Sequence, residues 1–379
     1  MPRDIVLPDH LRPADGRFGS GPSKVRQEGV DALAAAAPRL LGTSHRRTAV
    51  KDLVRRLREG LATYFSLPAG YEVAMGNGGA TLFWDAAAFG LVRERSAHAV
   101  FGEFSSKFAA LTRAAPFLAD PLVVESAPGS APALPADASV DFYALTHNET
   151  STGVMTPVVR PAGTHTASGL VAVDATSAAG ALPVEPEAFD AYYFSPQKAF
   201  GSEGGLWVAL LSPAAIARLD EIASERYIPA MLDIRLALDN TREDQTYNTP
   251  AIATLLLMAE HLEWMAAQGG LDWAAKDCAA KAGRLYDWAG AREWAAPFVA
   301  EPELRSTVIC TIDLDDSVSA DDVAAILRRN DVVDTEAYRK LGRNQLRIAV
   351  FPAVDPADVE RLTAAIDHIA GALRDRGRR

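Results

Sequence analysis

The sequence predicts an α/β fold in two domains: a mainly parallel sheet covered by helices, followed by a smaller α+β domain. Beyond residue 70, short apolar runs alternate with helical stretches, and several runs are apolar on both faces, as expected of parallel strands buried between helices. The chain has 379 residues, more than a single hydrophobic core usually supports. We expect an N-terminal arm (1–20), a large domain (21–268) and a small domain (269–379).

Two helices are expected before this alternation starts. Ser23 is the predicted N-cap of the first helix, whose apolar residues continue to Leu40. The second helix runs from Val50 to Tyr64, with apolar residues at the i, i+3, i+4, i+7 spacing of one helix face. Residues 42–46 form the loop between the two helices.

The alternating region supplies the elements of the sheet. Candidate strands are residues 71–75, 98–101, 141–145, 170–173, 191–194 and 206–211. Candidate helices between them are residues 80–92, 105–114 and 213–224. Segments 128–138 and 161–169 have no periodicity, so we expect them to be surface loops.

The region from residue 248 onward predicts the α+β layer. Pro250 lies just inside the start of a helix that Gly269 and Gly270 end, and another helix extends to about residue 289. The elements that follow are a strand (307–312), a helix (320–329), a strand (345–350) and a helix (356–373). Ser319 and Asp355 mark the starts of the last two helices.

The composition excludes several classes of protein. Hydrophobic residues make up 49% and charged residues 23%, as in globular proteins, and the net charge of −11 disfavours general nucleic-acid binding. The sequence has no run of about 18 apolar residues that predicts a membrane span, and its polar N-terminal stretch does not resemble a signal peptide, so we expect a cytoplasmic protein. Cys278 and Cys310 are expected in the core rather than in a disulfide or a metal site.

Two side chains at the ends of neighbouring strands carry the chemical signal. Lys198 follows the apolar strand 191–194 and precedes the glycine-rich stretch 201–205, a position where open α/β sheets bind ligands. Asp174 ends the strand that comes before. A carboxylate in this position often only caps a helix, but paired with Lys198 it indicates pyridoxal 5′-phosphate. That cofactor needs a lysine for its Schiff base and an acid beside its ring nitrogen.

A glycine-rich turn lies between the first strand and the next helix. It reads Gly76-Asn77-Gly78-Gly79 and is followed by Ala80 and Thr81. Backbone N–H groups at such a turn bind anions, and the helix dipole strengthens the site. The turn is neither a dinucleotide fingerprint nor a P-loop, and it suits the 5′-phosphate of the cofactor.

Several further motifs occur in an order that resembles a known family. They are Phe18-Gly19-Ser20-Gly21-Pro22-Ser23, Thr43-Ser44-His45-Arg46, His147-Asn148-Glu149-Thr150, Gln197-Lys198 and Tyr247-Asn248-Thr249-Pro250. Together with the strand ends, they cover nearly the whole chain and resemble the phosphoserine aminotransferase family, in the class V branch of the fold-type-I aminotransferases. The resemblance implies a mainly parallel seven-stranded sheet, bound pyridoxal 5′-phosphate and a homodimer with composite active sites.

The resemblance also assigns roles to cofactor-binding residues. Lys198 would form the Schiff base and then move a proton between the substrate and the cofactor, while Asp174 would pair with the ring nitrogen. The other implied cofactor contacts are Gly79, Ala80, Thr81, Phe104, Thr150, Gln197, Asn248 and Thr249. Asn248 and Thr249 would reach the phosphate from the partner subunit. Phe104 takes a stacking position where many family members have tryptophan.

Substrate recognition is expected to depend on cations. Arg347 matches the arginine that binds the substrate carboxylate in the family, and the planar guanidinium suits carboxylate and phosphate alike. His45 and Arg46 match the pair that meets the substrate phosphate from the neighbouring subunit. The family's usual His-Arg pair is replaced here by a segment with three candidate cations, and which of them meets the phosphate stays open. These are Arg339, Lys340 and Arg343.

The resemblance implies amino transfer from L-glutamate to 3-phosphohydroxypyruvate, and it leaves one close alternative. Another class V aminotransferase, such as an alanine–glyoxylate type, would have less use for the additional cations. Ser195 and Lys198 also fit the S-x-x-K motif of β-lactamases and penicillin-binding proteins, but the companion motifs Ser-Asp-Asn and Lys-Thr-Gly do not occur in the sequence. A cysteine desulfurase would need a cysteine on a loop, whereas Cys278 falls in a predicted helix and Cys310 in a predicted strand.

Overall fold

The computed structural model describes residues 5–164 and 169–377. Its helices in chain order are α1 (Gln27–Leu40), α2 (Thr48–Tyr64), α3 (Ala80–Gly90), α4 (Glu103–Ala114), α5 (Pro213–Glu225), α6 (Ile234–Arg242), α7 (Ile252–Gln268), α8 (Gly270–Gly290), α9 (Ala320–Arg329) and α10 (Pro356–Gly377). Its strands are β1 (Glu72–Asn77), β2 (Ser96–Val100), β3 (Leu122–Glu125), β4 (Phe142–Thr146), β5 (Asn148–Glu149), β6 (Val154–Met155), β7 (Leu170–Asp174), β8 (Ala191–Phe194), β9 (Leu206–Leu211), β10 (Ala295–Pro297), β11 (Ile309–Leu314) and β12 (Gln345–Ala349).

A seven-stranded sheet forms the centre of the molecule, in the order β1-β9-β8-β7-β4-β2-β3. Strand β9 runs antiparallel to both of its neighbours, and the remaining pairs are parallel. The predicted α/β class with a mainly parallel seven-stranded sheet is therefore confirmed. A smaller antiparallel sheet, β10-β11-β12, lies in the C-terminal part of the chain.

Both faces of the large sheet are buried, as the doubly apolar strands predicted. In β7, Val171 and Val173 face a cluster that includes residues of α2 and α7, whereas Leu170 and Ala172 face a cluster that includes residues of α3 and α4. This alternation is the period of two expected of a strand between two helix layers. The carboxyl ends of the parallel strands are left as the edge where side chains can meet a ligand.

The C-terminal layer has a core of its own, which also takes in residues from the start of the chain. Ile5, Leu7 and Phe18 are buried with the residues of α8 to α10 and β10 to β12. The Ala349 N–H donates to the Phe18 carbonyl oxygen at 3.0 Å. The domain bounds at residues 20 and 268 stay a prediction, and residues 1–4 and 165–168 lie outside the described part, including part of the loop predicted at 161–169.

Two predicted helix starts are wrong. Helix α1 begins at Gln27 after Arg26, which provides no side-chain cap, and Ser23 lies upstream of the helix. The Ser23 hydroxyl instead donates to the carbonyl oxygen of Lys198 at 2.5 Å. Pro250 lies before α7, whose first residue is Ile252. A tertiary contact takes Ser23 out of the helix that its type favours, and Ala251, with φ −69° and ψ 87°, separates Pro250 from the first residue of α7.

Five elements have no counterpart among the predicted segments: β3, β5, β6, α6 and β10. Strand β3 is a half-buried edge strand, so its side chains show no clear apolar period. Helix α6 did carry a start signal, because the Asp233 side chain accepts a hydrogen bond from the Leu236 N–H. Both cysteines are buried and free, Cys278 in α8 and Cys310 in β11, as predicted. Within residues 5–164 and 169–377, no helix is long and apolar enough to cross a membrane.

Candidate active site

The carboxyl edge of the large sheet opens into a cavity of about 1210 Å³. Thr146, Asp174 and Tyr193 are register partners at the ends of β4, β7 and β8, so Asp174 lies at this edge, and Lys198 follows β8 closely. Eleven of the predicted site residues line the cavity: Gly79, Ala80, Thr81, Phe104, Thr150, Asp174, Gln197, Lys198, Arg339, Arg343 and Arg347. Residues far apart in sequence therefore meet at one place.

Lys198 is a buried amine, with only 7% of the residue exposed. Its Nζ donates a hydrogen bond to Thr150 Oγ1 at 2.8 Å and lies 5.6 Å from the ring centroid of Phe104. Burial lowers the pKa of Lys198 to about 8, although the nearby Asp174 carboxylate acts in the opposite direction. The uncharged fraction of the amine near neutral pH is therefore larger than that of an exposed lysine, which favours its action as a nucleophile.

Thr150 connects Lys198 to Arg347. Its hydroxyl donates to Ser177 Oγ at 3.0 Å, and Ser177 in turn donates to the Asn148 carbonyl oxygen at 2.9 Å. The Thr150 carbonyl oxygen accepts a hydrogen bond from Arg347 Nη1 at 3.3 Å. The side chain of Thr150 therefore contacts Lys198, and its backbone carbonyl contacts Arg347.

Both carboxylate oxygens of Asp174 accept hydrogen bonds. Oδ1 accepts from the Thr176 backbone N–H at 3.0 Å, and Oδ2 accepts from the indole Nε1 of Trp84 at 3.1 Å. Burial raises the pKa of Asp174, and these two bonds oppose that rise. Neither Trp84 nor Thr176 was assigned a role from the sequence, although Thr176 lies only two residues beyond Asp174.

The glycine-rich turn leads directly into α3. Gly78 has a φ of +115°, which favours glycine, and its N–H donates to the Gly205 carbonyl oxygen at 3.0 Å. Gly79 precedes the helix, and Ala80 and Thr81 form its first turn, where backbone N–H groups lack helical partners. The free N–H groups of this first turn fit an anion at the end of the cavity. Gln197 also lines the cavity, and its Oε1, a hydrogen-bond acceptor, is buried without a partner among the described residues.

A segment near the N-terminus lies against the lysine. Gly21 has a φ of +130°, and a Cβ at this position would lie 2.6 Å from Lys198 Cε. The Ser23 N–H donates to the Gln197 carbonyl oxygen at 2.8 Å. From the sequence, the motif at residues 18–23 indicated only a family resemblance. The structure shows that Gly21 leaves the space that the Lys198 side chain needs.

The four candidate cations differ in what surrounds them. Arg347 is mostly buried, and its Nε has no partner among the described residues. Lys340 pairs with the carboxylate of Glu103, which also pairs with Lys107 at 3.1 Å.

Arg343 pairs with Asp313, its Nε lying 3.1 Å from that carboxylate, and its guanidinium carbon is 4.6 Å from the centroid of the Phe298 ring. Within the described residues, Arg339 has no carboxylate partner, although it lines the same cavity. The neighbouring carboxylates thus distinguish three cations that the sequence alone could not separate.

The remaining predicted residues lie at the surface, outside this cavity. Thr249 Oγ1 is 3.0 Å from His45 Nδ1, and Asn248 Nδ2 is 2.8 Å from the Met231 sulfur. Arg46 is exposed. The structure therefore brings His45 and Thr249 together but does not bring them to Lys198 within one chain.

The hydrolase alternative does not fit the geometry. Ser195 is buried, and its hydroxyl donates to the Leu206 carbonyl oxygen at 2.8 Å, while Lys198 bonds to Thr150. Among the residues that the structure describes, Ser195 therefore has no basic partner of the kind that activates a serine nucleophile. Among residues 5–164 and 169–377, no three His, Cys, Asp or Glu side chains are grouped to hold a metal ion.

Comparison with known proteins adds independent information. The family model for class V aminotransferases matches residues 136–337. A phosphoserine aminotransferase from a Nocardioides species is 60% identical over 97% of this chain and 99% of its own length. The crystal structure of a phosphoserine aminotransferase from Cytophaga hutchinsonii is 24% identical, covers 93% of this chain and 99% of its own, and gives a TM-score of 0.83.

A phosphoserine aminotransferase from Trichomonas vaginalis, described with bound pyridoxal phosphate, is 19% identical, with a TM-score of 0.81. It covers 93% of this chain and 99% of its own. These structural likenesses confirm the predicted fold-type-I architecture.

Proposed function

The chain belongs to the phosphoserine aminotransferases of the class V aminotransferase family, and from this premise we propose that it transfers the amino group of L-glutamate to 3-phosphohydroxypyruvate. The products are O-phospho-L-serine and 2-oxoglutarate. The observation that carries the proposal is the buried pair at the sheet edge, in which Lys198 and Asp174 face one cavity together with the turn at Gly79. The cavity's cations provide for substrates that carry carboxylate and phosphate groups.

Pyridoxal 5′-phosphate fits the residues present. The free N–H groups of the first turn of α3 suit a phosphate, and the Asp174 carboxylate, which accepts two hydrogen bonds, suits a basic ring nitrogen. Lys198, Asp174, Thr150, Gln197 and residues 79–81 would hold it. When bound, it would supply an electron sink that lets the substrate α-carbon lose a proton.

Lys198 serves two purposes in this proposal. Its amine would hold the cofactor covalently at the aldehyde, which the lowered pKa of about 8 favours. Once freed by the incoming substrate amine, the same Nζ would accept the proton from the substrate α-carbon and pass it on to the cofactor. Thr150 Oγ1, which accepts a hydrogen bond from Nζ, keeps the amine directed into the cavity.

Arg347 is placed to bind the α-carboxylate common to all four substrates and products. One N–H bonds to the Thr150 carbonyl oxygen, and the unpartnered Nε leaves the planar fork free for a bidentate contact. The partly buried position strengthens such a pair relative to one in open water. Because Thr150 also contacts Lys198, the carboxylate is held at a fixed place relative to the amine.

Arg339 is the residue of this subunit that we assign to the substrate phosphate. Lys340 and Arg343 are already paired with Glu103 and Asp313, so their charges are largely satisfied. Arg339 lines the cavity and, within the described residues, has no carboxylate to compete with a phosphate. His45 and Arg46 of a neighbouring subunit would complete this phosphate site.

The proposal includes a homodimer, and the position of these residues supports it. Leu41 and Tyr247 are 40% and 41% exposed and lie close in sequence to His45 and Asn248, and Met231, which contacts Asn248, is 42% exposed. Large apolar side chains grouped at a surface are typical of an interface. A second copy covering this surface would bring His45, Arg46, Asn248 and Thr249 to the cavity of its partner.

An absorbance spectrum of the purified protein tests the proposal. Adding O-phospho-L-serine should convert the visible band of the lysine-linked cofactor to the shorter-wavelength band of its amino form, and 2-oxoglutarate should restore the original band. L-alanine should leave the band unchanged. Conversion by L-alanine and not by O-phospho-L-serine would favour the alanine–glyoxylate alternative, and a protein that takes up no cofactor would overturn the proposal.

A further inference from the structure

Trp84 lies in α3 and reaches the acid of the site from outside the predicted set of residues. It is buried, with 3% exposed, and its indole stacks on Phe108 at a centroid distance of 5.9 Å and an interplanar angle of 13°. Its Nε1 donates to Asp174 Oδ2 at 3.1 Å, across a separation of 90 residues in sequence. The ring packing alone would leave this donor free to point elsewhere.

A second tryptophan in the same core shows what packing alone produces. Trp207 is equally buried and packs edge-on against Phe83, yet its Nε1 has no hydrogen-bond partner among the described residues. An indole N–H in this layer is therefore not obliged to find an acceptor. The bond from Trp84 to Asp174 is a specific feature of Trp84, and Trp207 provides its natural control.

The two bonds to Asp174 fix the plane of its carboxylate. Trp84 holds Oδ2 and the Thr176 backbone N–H holds Oδ1, so rotation about the last side-chain bond would break both contacts. Each oxygen retains a lone pair for a ligand. A carboxylate held in this way is oriented before a basic ring nitrogen arrives, and less free energy is lost on binding.

The same bonds favour the charged form of the carboxylate. Burial favours the protonated form of Asp174, and hydrogen bonds to its oxygens favour the anion. The other titratable side chains that affect this carboxylate are Lys198, Tyr192 and Tyr193, and burial keeps both phenols neutral by raising their pKa. Removing the indole donor would leave Asp174 with one fewer group to stabilise its charge.

Helix α3 also links this contact to the phosphate end of the site. Ala80 and Thr81 occupy its first turn, and Trp84 lies one turn later, on the same side of the helix as these two residues. One rigid element thus positions the proposed phosphate donors and the donor to Asp174. A single helix would therefore set the distance between the groups that bind the cofactor phosphate and the group that holds Asp174.

We propose that Trp84 is a positioning residue that orients Asp174 for the ring nitrogen of the cofactor. The inference rests on the proposed function, because it requires pyridoxal 5′-phosphate in this cavity. Trp84 itself need not touch the reacting atoms. Its effect should therefore depend on the ring nitrogen and vanish when the nitrogen is absent.

The test compares two cofactors on cofactor-free protein. Dissociation constants of pyridoxal 5′-phosphate and of its 1-deaza analogue, which has a carbon in place of the ring nitrogen, are measured by calorimetry for the wild type and Trp84→Phe. We expect Trp84→Phe to weaken the natural cofactor about tenfold, as for a hydrogen bond to a charged group, and the analogue less than about twofold. Trp207→Phe, the matched control, should change neither constant by more than about twofold.

Each outcome decides the inference. Equal weakening of both cofactors by Trp84→Phe, no weakening of either, or the same pattern in Trp207→Phe would overturn it while leaving the proposed function intact. A wild-type protein that binds neither cofactor would instead contradict the proposed function. Benzothienylalanine at position 84 keeps the shape of the indole without its N–H, and it should reproduce the selective loss if Trp84→Phe disturbs folding.

Discussion

The predicted site has two parts that differ in how they are assembled. Lys198, Asp174 and Thr150 are buried within one chain, and their contacts are complete before any partner is present. His45 and Thr249 lie at the surface, in contact with each other and away from the cavity. The first part follows from the topology of one sheet, whereas the second has its proposed use only across an interface. Four experiments test this difference between the two parts of the site.

The largest effect is expected from removing the amine of the buried part. Lys198→Ala should lower kcat by about 10³-fold, because both covalent attachment and proton transfer are lost, and it should abolish the visible cofactor band. Steady-state assays and absorbance spectra measure the two effects. Lys276→Ala, at an exposed position of α8, is the control and should keep full activity. A Lys198→Ala protein with more than a tenth of the wild-type activity would exclude this lysine as the catalytic amine.

Mixed dimers test whether the surface part completes the cavity of its neighbour. Arg46→Ala should lower kcat/KM for 3-phosphohydroxypyruvate about 10²-fold, with little change for L-glutamate, because a charged contact to the phosphate is lost. After refolding an equal mixture with Lys198→Ala, each heterodimer has one cavity with both residues intact. Activity should then recover to roughly a quarter of the wild type, given random pairing in a twofold dimer. Without recovery, Arg46 cannot act across the interface.

Arg339 and Arg343 provide a narrower test within the cavity. Arg339→Ala should reduce kcat/KM for 3-phosphohydroxypyruvate about tenfold and leave L-glutamate unchanged, since a charge-assisted hydrogen bond is removed from one substrate only. Arg343→Ala should change either value less than about threefold, because its charge is paired with Asp313 and half-exposed. The opposite ranking of the two variants would show that Asp313 releases Arg343 to the substrate.

The smallest effect concerns the pH dependence of the buried amine. The pKa of Lys198 is lowered to about 8 from 10.5, so in cofactor-free protein the reactive uncharged amine should increase up to about pH 9 and then level off. The uncharged fraction is measured by the rate at which an amine-reactive label modifies Lys198, followed by mass spectrometry across the pH range. Because the Asp174 carboxylate raises this pKa, Asp174→Asn should move the midpoint to lower pH. A midpoint near 10.5 in the wild type would contradict the burial of the amine.

Much of the fold could be predicted because its signals are local. The strands of the large sheet are short apolar runs, and burial on both faces makes them apolar whatever they pair with. Strand β3 was not predicted, because it lies at the edge of the sheet and is only half-buried. Ser23 was misassigned because its preference for a helix start was overridden by its bond to the backbone at Lys198, a contact that no local pattern encodes.

The candidate site divides in the same way. Lys198 and Asp174 could be found because both lie where strands end, and strand ends meet at one edge. Trp84 could not, since the pairing with Asp174 spans 90 residues and depends on how α3 packs on the sheet. The difference between Arg339 and Lys340 depends on Glu103, which is 237 residues from Lys340. The roles of His45 and Thr249 come from the resemblance alone.

The position of the segment before α1 affects the order in which the cavity forms during synthesis. Phe18 pairs with Ala349 in the C-terminal layer, and Gly21 then crosses Lys198 a few residues later. A ribosome produces this segment first, but its binding partner β12 emerges almost last. Until then the segment has only the contacts available earlier in the chain, such as those of Ser23 with the backbone at Gln197 and Lys198. Because Arg347 of β12 lines the cavity, the cavity is completed only when synthesis is nearly finished.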